Sequence, residues 1–347
     1  QRAQVLGFDK VGFARADQPL EKDHQRYQQF IDAGMHGDMA YLANHRQVRR
    51  RVDTEAIVAG ARTVVCLAEK YRRAGECDDP PLAQLMARYA RGRDYHNHLR
   101  KRVRKLAQFV TELQPGAQAR ALCDTAPVLE RAWAARAGLG FIGKNGLLIV
   151  PGEGSYCLLA EVVTTVGLPA GDYGRAMGER CGSCTACLDV CPTQAFVAPF
   201  VLDPRRCLSF LTIETKTMPP AAAAAQYGEH LFGCDDCQQV CPYNAVRPRD
   251  GDSTARYAPL DRWREVDLHQ LVTWSEERFD EYTRGTPLRR ARRRGLARNA
   301  VMVAAARYRR GDERARAVLA AASAHDDAAV AALARQALAG GAGDEGA

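Results

Sequence analysis

The 347-residue sequence predicts three parts in series. A mixed α/β (α+β) domain covers 1–170, a small loop-rich domain covers 171–250, and helices alone fill 251–340, ahead of a disordered tail at 341–347. Three observations carry this division. Helical stretches alternate with short apolar strands through the first half. Eight of the twelve cysteines crowd between Cys181 and Cys241. From Pro287 onward, alanine-rich segments recur at helical spacing.

In the first part, Leu99–Leu113 has the spacing of an amphipathic helix, and Thr63–Ala68, Arg120–Cys123, Leu147–Val150 and Leu158–Val166 read as strands. Val128–Ala137 has helical composition, and Gly138 is placed to end that helix and lead through a tight glycine loop into a strand at Gly146–Val150. Gly138, Gly140 and Gly143 do spell G-x-G-x-x-G, but a dinucleotide loop follows a strand and opens a helix, the reverse of this order. Asn145 also stands where a P-loop has Ser or Thr.

Composition narrows the class. The chain is 46% hydrophobic and 26% charged, ordinary for a globular protein. Gln1–Ala14 lacks the apolar block of a signal peptide, and no run reaches the roughly 20 apolar residues of a membrane span. The expectation is a cytoplasmic protein off the membrane, where thiols stay reduced and clustered cysteines bind metal rather than form disulfides.

The second part supports this. Cys181, Cys184, Cys187 and Cys191 before Pro192 form C-x2-C-x2-C-x3-C-P, the bacterial ferredoxin run whose fourth cysteine serves the other cluster. Cys234, Cys237 and Cys241 before Pro242 repeat it one cysteine short, and Cys207 supplies the missing ligand. The crossed rule assigns Cys181, Cys184, Cys187 and Cys241 to one [4Fe–4S] cluster and Cys191, Cys207, Cys234 and Cys237 to the other. Two zinc sites are the competing reading, disfavoured because three evenly spaced cysteines with a distant fourth before Pro is a cluster pattern. Cys66, Cys77, Cys123 and Cys157 have no partner at ligand spacing and read as incidental thiols. Two adjacent clusters make a wire for single electrons, which requires a second redox centre.

In the third part, Leu296–Arg309, Glu313–Ala322 and Ala328–Leu338 read as short helices of the HEAT-like kind. Ten arginines lie between Arg284 and Arg310 with no Asp or Glu among them. Arginine at this density suits a phosphate backbone, and no major-groove module is present, so folded RNA is the expected partner.

Several blocks resemble the epoxyqueuosine reductase family. They are Gly34-Met-His-Gly-Asp-Met-Ala-Tyr-Leu42, Tyr89-Ala-Arg-Gly-Arg-Asp-Tyr-His96, the segment from Asp124-Thr-Ala-Pro through Gly-Lys-Asn145, the double cysteine run, Cys207-Leu-Ser-Phe-Leu-Thr-Ile-Glu-Thr-Lys216, and Gly233-Cys-Asp-Asp-Cys through Cys-Pro-Tyr-Asn244. The resemblance spans about residues 5–310. It implies a cobalamin-dependent iron–sulfur enzyme that reduces epoxyqueuosine to queuosine at the wobble position of tRNA. It implies Asp124 as the proton donor and as a cobalamin contact, with Ser209, Lys216, Asp235 and Asp236 as further corrin contacts. Tyr95 and His96 are candidates for proton transfer or substrate contact, and Arg289, Arg290, Arg292, Arg293, Arg294 and Arg298 for the tRNA anticodon stem-loop. Asp94-Tyr-His96-Asn-His98 runs on into Leu99, so the D-x-H-x-x-G signature of histidine-ligated cobalt is absent, which fits base-off cobalamin. A monomer fed by an external low-potential electron donor is expected. The alternatives are a plain ferredoxin-like carrier, which needs no α/β domain, and a reductive dehalogenase-like enzyme for small molecules, which needs no arginine-rich segment.

Overall fold

The computed structural model describes residues 1–73, 76–245 and 252–340. The expected disordered tail at 341–347 lies outside the described residues.

The first half is built on helix α1 (Glu21–Asp32) and strands β1 (Lys10–Arg15), β2 (Thr63–Lys70), β3 (Ala119–Leu122), β4 (Phe141–Ile142), β5 (Leu148–Ile149) and β6 (Cys157–Thr164). Four of them form an antiparallel sheet in the order β1-β2-β6-β3. All eight residues of β2 are buried, as a central strand covered on both faces requires. Alternation divides its side chains. Val65 and Leu67 face helix α2 (Tyr95–Leu113), joining Leu99, Val103 and Leu106. Val64, Cys66 and Ala68 face helix α3 (Glu130–Arg136), joining Trp133, Leu122 and Val163. Each large apolar side chain so buried stabilises the fold by about 1.5–3 kcal/mol.

The expected strands and helices of this region are present, with shifts at their ends. Helix α2 begins four residues before Leu99 because Asp94 caps it, accepting the His96 N–H at 3.0 Å. Such a cap is worth about 1 kcal/mol. Gly138 takes φ +75 at the end of α3 and leads into the β4–β5 hairpin, so the glycine triplet follows a helix, as expected. Strand β1 went unread because its six residues, with Gly12 inside, are too short and mixed to show a clear period. Gly12 is needed there: a Cβ would lie 2.4 Å from the Ala137 carbonyl oxygen.

The cysteine-rich segment contains one short hairpin, β7 (Phe196–Ala198) with β8 (Val201–Leu202), and a helix at Leu208–Ile213. Asn244, after the second Cys-Pro, pins this segment to the sheet domain. Its Nδ2 donates to the Ser155 hydroxyl at 2.8 Å, and its Oδ1 accepts the Ser155 N–H at 2.7 Å. The last third is helical, ending in α4 (Arg292–Arg309), α5 (Arg314–Ala322) and α6 (Ala328–Ala339). Their buried faces continue into Leu208, Phe232 and Trp263, so one apolar core joins the C-terminal helices to the cysteine segment. Among the described residues no helix is long and apolar enough to cross a membrane.

Candidate active site and cysteine quartets

The fold brings the eight clustered cysteines close to one another. Cys187 lies in electrostatic contact with Cys181, Cys241 and Cys184, and Cys241 with Cys181 and Cys184. Cys207 faces Cys234 and Cys191, while Cys237 faces Cys234 and Cys207 and, across the gap, Cys187. Burial and the neighbouring thiols push Cys187, Cys237 and Cys241 up and carry Cys207 to about 11. Thiols crowded in this way resist ionising together until cations bind among them, so the donor set fits a thiolate-held metal cluster. Several sulfurs also accept backbone N–H groups, among them Cys181 from Lys144 at 3.4 Å and Cys191 from Ala195 at 3.3 Å, bonds of the kind that tune cluster potentials. Cys66 and Cys123 are buried and Cys157 is half-buried, each apart from these eight; the side chain of Cys77 lies outside the described residues.

A second centre forms where the loop after β3 meets the start of α2. Asp124 takes φ +57, in the left-handed region that a residue with a Cβ rarely adopts. Its Oδ2 lies 2.7 Å from His96 Nε2, and Asp94 Oδ1 lies 2.7 Å from His96 Nδ1. Carboxylates on both sides require both ring nitrogens to donate, which makes His96 an imidazolium. Burial lowers its pKa, but the bonds to Asp124 and Asp94 outweigh that and hold it up at about 9. Tyr95 stacks on the His96 ring with centroids 4.1 Å apart, and burial followed by the Asp124 charge raises its phenol. The expected trio of Tyr95, His96 and Asp124 therefore shares one site.

Residues not singled out from the sequence border the same site. Tyr41 feels Glu214 and Asp124, and Tyr89 feels Asp235, Asp124 and Glu214. Arg290 lies over the Tyr41 ring at 5.4 Å and grips Glu214 through two bonds, at 3.0 and 2.8 Å. The 37–41 segment rests on the Leu208–Ile213 helix so closely that a Cβ on Gly37 would meet Phe210 Cζ at 2.8 Å. Glu130 is the fourth omission: its Oε1 accepts the Asp124 N–H at 2.6 Å. Its place six residues after Asp124, at the start of a helix, was the available signal.

The expected corrin contacts divide. Ser209 is half-buried on the Leu208–Ile213 helix, and Lys216 is exposed just beyond it, its N–H donated to Asp38 at 2.9 Å. Asp235 is buried, and its carboxylate accepts the Arg88 N–H at 2.8 Å and the Gln238 amide at 3.0 Å. Asp236 binds His230 Nε2 at 2.9 Å. Both acids are therefore engaged within the protein.

The arginines need a correction. Arg298 is 2% exposed, and its guanidinium donates to the carbonyls of Thr215, Thr217 and Leu211 and to Asn299. It braces the 211–217 segment and cannot reach a phosphate. Arg289 pairs with Asp280, Arg290 with Glu214, Arg293 with Glu276 and Asp326, and Arg294 with Asp327. The local absence of acids did not leave free charge, because the fold brings acids from other segments. Of the six, Arg292 is exposed and has no side-chain partner among the described residues.

Comparison with known proteins places this geometry. Residues 51–125 match the family described as "Epoxyqueuosine reductase QueG, DUF1730", and 180–244 match the "4Fe-4S double cluster binding domain". The chain is 42% identical over 303 residues to an epoxyqueuosine reductase of Gloeobacter violaceus, covering 86% of this chain and 92% of that protein. It is 43% identical over 293 residues to one of Pseudomonas aeruginosa, covering 82% and 78%. A solved epoxyqueuosine reductase bound to an epoxyqueuosine-modified tRNA stem loop superposes with TM-score 0.82 at 28% identity, covering 97% of this chain and 87% of that one. With a relative above 40% identity matched along nine-tenths of its length, the chain belongs to the epoxyqueuosine reductase family.

Proposed function

We propose that this protein reduces epoxyqueuosine to queuosine at the wobble position of tRNA, the last step of queuosine biosynthesis, with Asp124 as proton donor. The observation that carries the reading is the Asp94–His96–Asp124 chain with Tyr95 stacked on it, in a chain that also gathers eight cysteines. Opening an epoxide to an alkene consumes two electrons and two protons and releases water. Asp124 is placed to protonate the departing oxygen, and His96, an imidazolium bonded to it, aims the carboxyl and can return a proton to it. Tyr95 keeps the imidazole ring in place by stacking.

Two [4Fe–4S] clusters and cobalamin, when bound, supply single-electron delivery and a low-valent metal that gathers both electrons. Cys181, Cys184, Cys187 and Cys241 would hold one cluster, and Cys191, Cys207, Cys234 and Cys237 the other. The corrin would lie beside Asp124, near Ser209 and Lys216. Both His96 nitrogens are committed to carboxylates, which supports a base-off cobalamin with no lower ligand from this ring. The protein would work as three domains bounded near 170 and 250, with the HEAT-like helices and Arg292 meeting the anticodon stem. We take it to be a cytoplasmic monomer that draws electrons from an external low-potential donor.

The test is anaerobic reconstitution with iron, sulfide and cobalamin, followed by mass spectrometry of nucleosides from epoxyqueuosine-containing tRNA. Queuosine formation supports the reading. Its absence from a protein carrying about eight irons and one cobalamin, the content two [4Fe–4S] clusters imply, refutes the substrate.

A further inference from the structure

Asp124 is held at two points, and the second is unexplained by proton donation. Its backbone forms a tight turn in which the Thr125 N–H reaches back to the Cys123 carbonyl at 2.6 Å while Asp124 takes φ +57. A turn of this hand is rare and strained for a residue with a side chain, and it persists only where the surroundings enforce it. Here the enforcing contact is the 2.6 Å bond from the Asp124 N–H to Glu130 Oε1.

Glu130 stands in an unusual setting. Behind it on β6, Glu161 is 1% exposed, and neither carboxyl oxygen has a hydrogen-bond partner among the described residues. An ionised Glu161 would be an uncompensated buried charge, so it is held as the neutral acid. The ionisable groups facing Glu130 are Asp124, Glu161, His96, Arg131, the Tyr95 phenol and the thiols Cys66 and Cys123. Strands β4 and β5, also packed on α3, carry no ionisable residue, and Lys10 and Arg15 of β1 pair with Glu153 and Asp17.

We propose that Glu130 is a positioning residue, whose carboxylate clamps the Asp124 backbone in its strained turn and so aims the proton donor into the site. The inference rests on the assignment of Asp124 as that donor. An N–H bond to a charged oxygen is shorter and about twice as strong as one to a neutral oxygen, so the clamp tightens when Glu130 ionises. Burial, and then the Asp124 charge, raise Glu130 to about 7. Below that pH it is neutral and grips weakly through a carbonyl oxygen; above it the grip is full. Turnover therefore rises with pH through about 7.

The experiment uses Glu130→Ala, Glu130→Gln and Asp124→Asn in reconstituted enzyme with an epoxyqueuosine stem loop. Glu130→Ala lowers kcat about 10- to 100-fold with KM within about twofold, the signature of an interaction that acts on the reacting state. Glu130→Gln keeps a neutral acceptor oxygen, so its turnover stays at the wild type's low-pH level at every pH and lacks the rise through pH 7, above the alanine variant throughout. In protein without cobalamin, amide exchange of the 122–127 peptide is fastest in the alanine variant and in the glutamine variant matches the wild type below pH 7, while melting temperatures confirm folding. Wild-type kcat in Glu130→Ala, equal impairment of both variants at every pH, or unchanged exchange overturns the clamp. If Asp124→Asn keeps full turnover the donor assignment itself fails; if it is inactive while Glu130→Ala is normal, the clamp alone fails.

Discussion

Asp124→Asn separates chemistry from architecture at the site. The amide is nearly the same size and can still accept from His96 Nε2, so the loop and the 2.7 Å contact can survive. What disappears is the proton and the negative charge. A positioned general acid contributes about 10²- to 10⁴-fold, or about 3–5 kcal/mol at 1.36 kcal/mol per decade. The expected result is a kcat reduced by that range, with stem-loop affinity and cobalamin content close to wild type. A second effect follows from the same geometry. His96 is held at about 9 by bonds to both Asp124 and Asp94, so loss of one carboxylate lets it fall toward its ordinary 6.5. Single-turnover conversion measured by nucleoside mass spectrometry gives the first quantity, and an NMR titration of the imidazole gives the second. Turnover within about threefold of wild type, or an imidazole still titrating near 9, would refute the reasoning.

Three more expectations can be checked together. His96 has a folded-state pKa raised to about 9 from 6.5. The stability it contributes is complete below pH 6.5 and is lost as pH rises through 9, so the melting-temperature gap between wild type and His96→Gln should be widest near pH 6 and close by pH 10. Cys207→Ser should reconstitute with about four irons instead of eight and lose turnover, whereas Cys157→Ser keeps both clusters; full iron in Cys207→Ser would break the crossed assignment. Arg292→Glu should weaken tRNA binding and flatten its salt dependence by about one phosphate contact. Arg298→Ala should instead lower the melting temperature and leave the salt slope alone, because its guanidinium is spent on buried carbonyls. Equal salt slopes for the two variants would count against this division.

What could be read from the sequence followed the range over which each signal acts. The nearness of Cys207 to Cys191 and Cys234 could be anticipated because ligand spacing is a local property. The glycine triplet was legible because helix-then-glycine order excludes a nucleotide loop. Tyr41 and Glu214 were not, since they lie 173 positions apart and meet only because the 37–41 segment crosses onto the Leu208–Ile213 helix. The arginines show the same limit from the other side. Within 284–310 they have no acidic neighbour, yet Asp280, Glu276, Glu214, Asp326 and Asp327 reach five of their guanidinium groups in space. A charge run therefore measures potential for pairing as much as potential for binding, and in this fold most of that potential goes into holding the C-terminal helices to the cysteine segment and to one another. Arg290 carries the consequence furthest. Its two bonds to Glu214 and its place over Tyr41 put a structural ion pair beside the proposed proton donor. A stem loop that engages the nearby Arg292 would thus press on the start of α4, next to a turn that Arg290 ties to Glu214 and Tyr41.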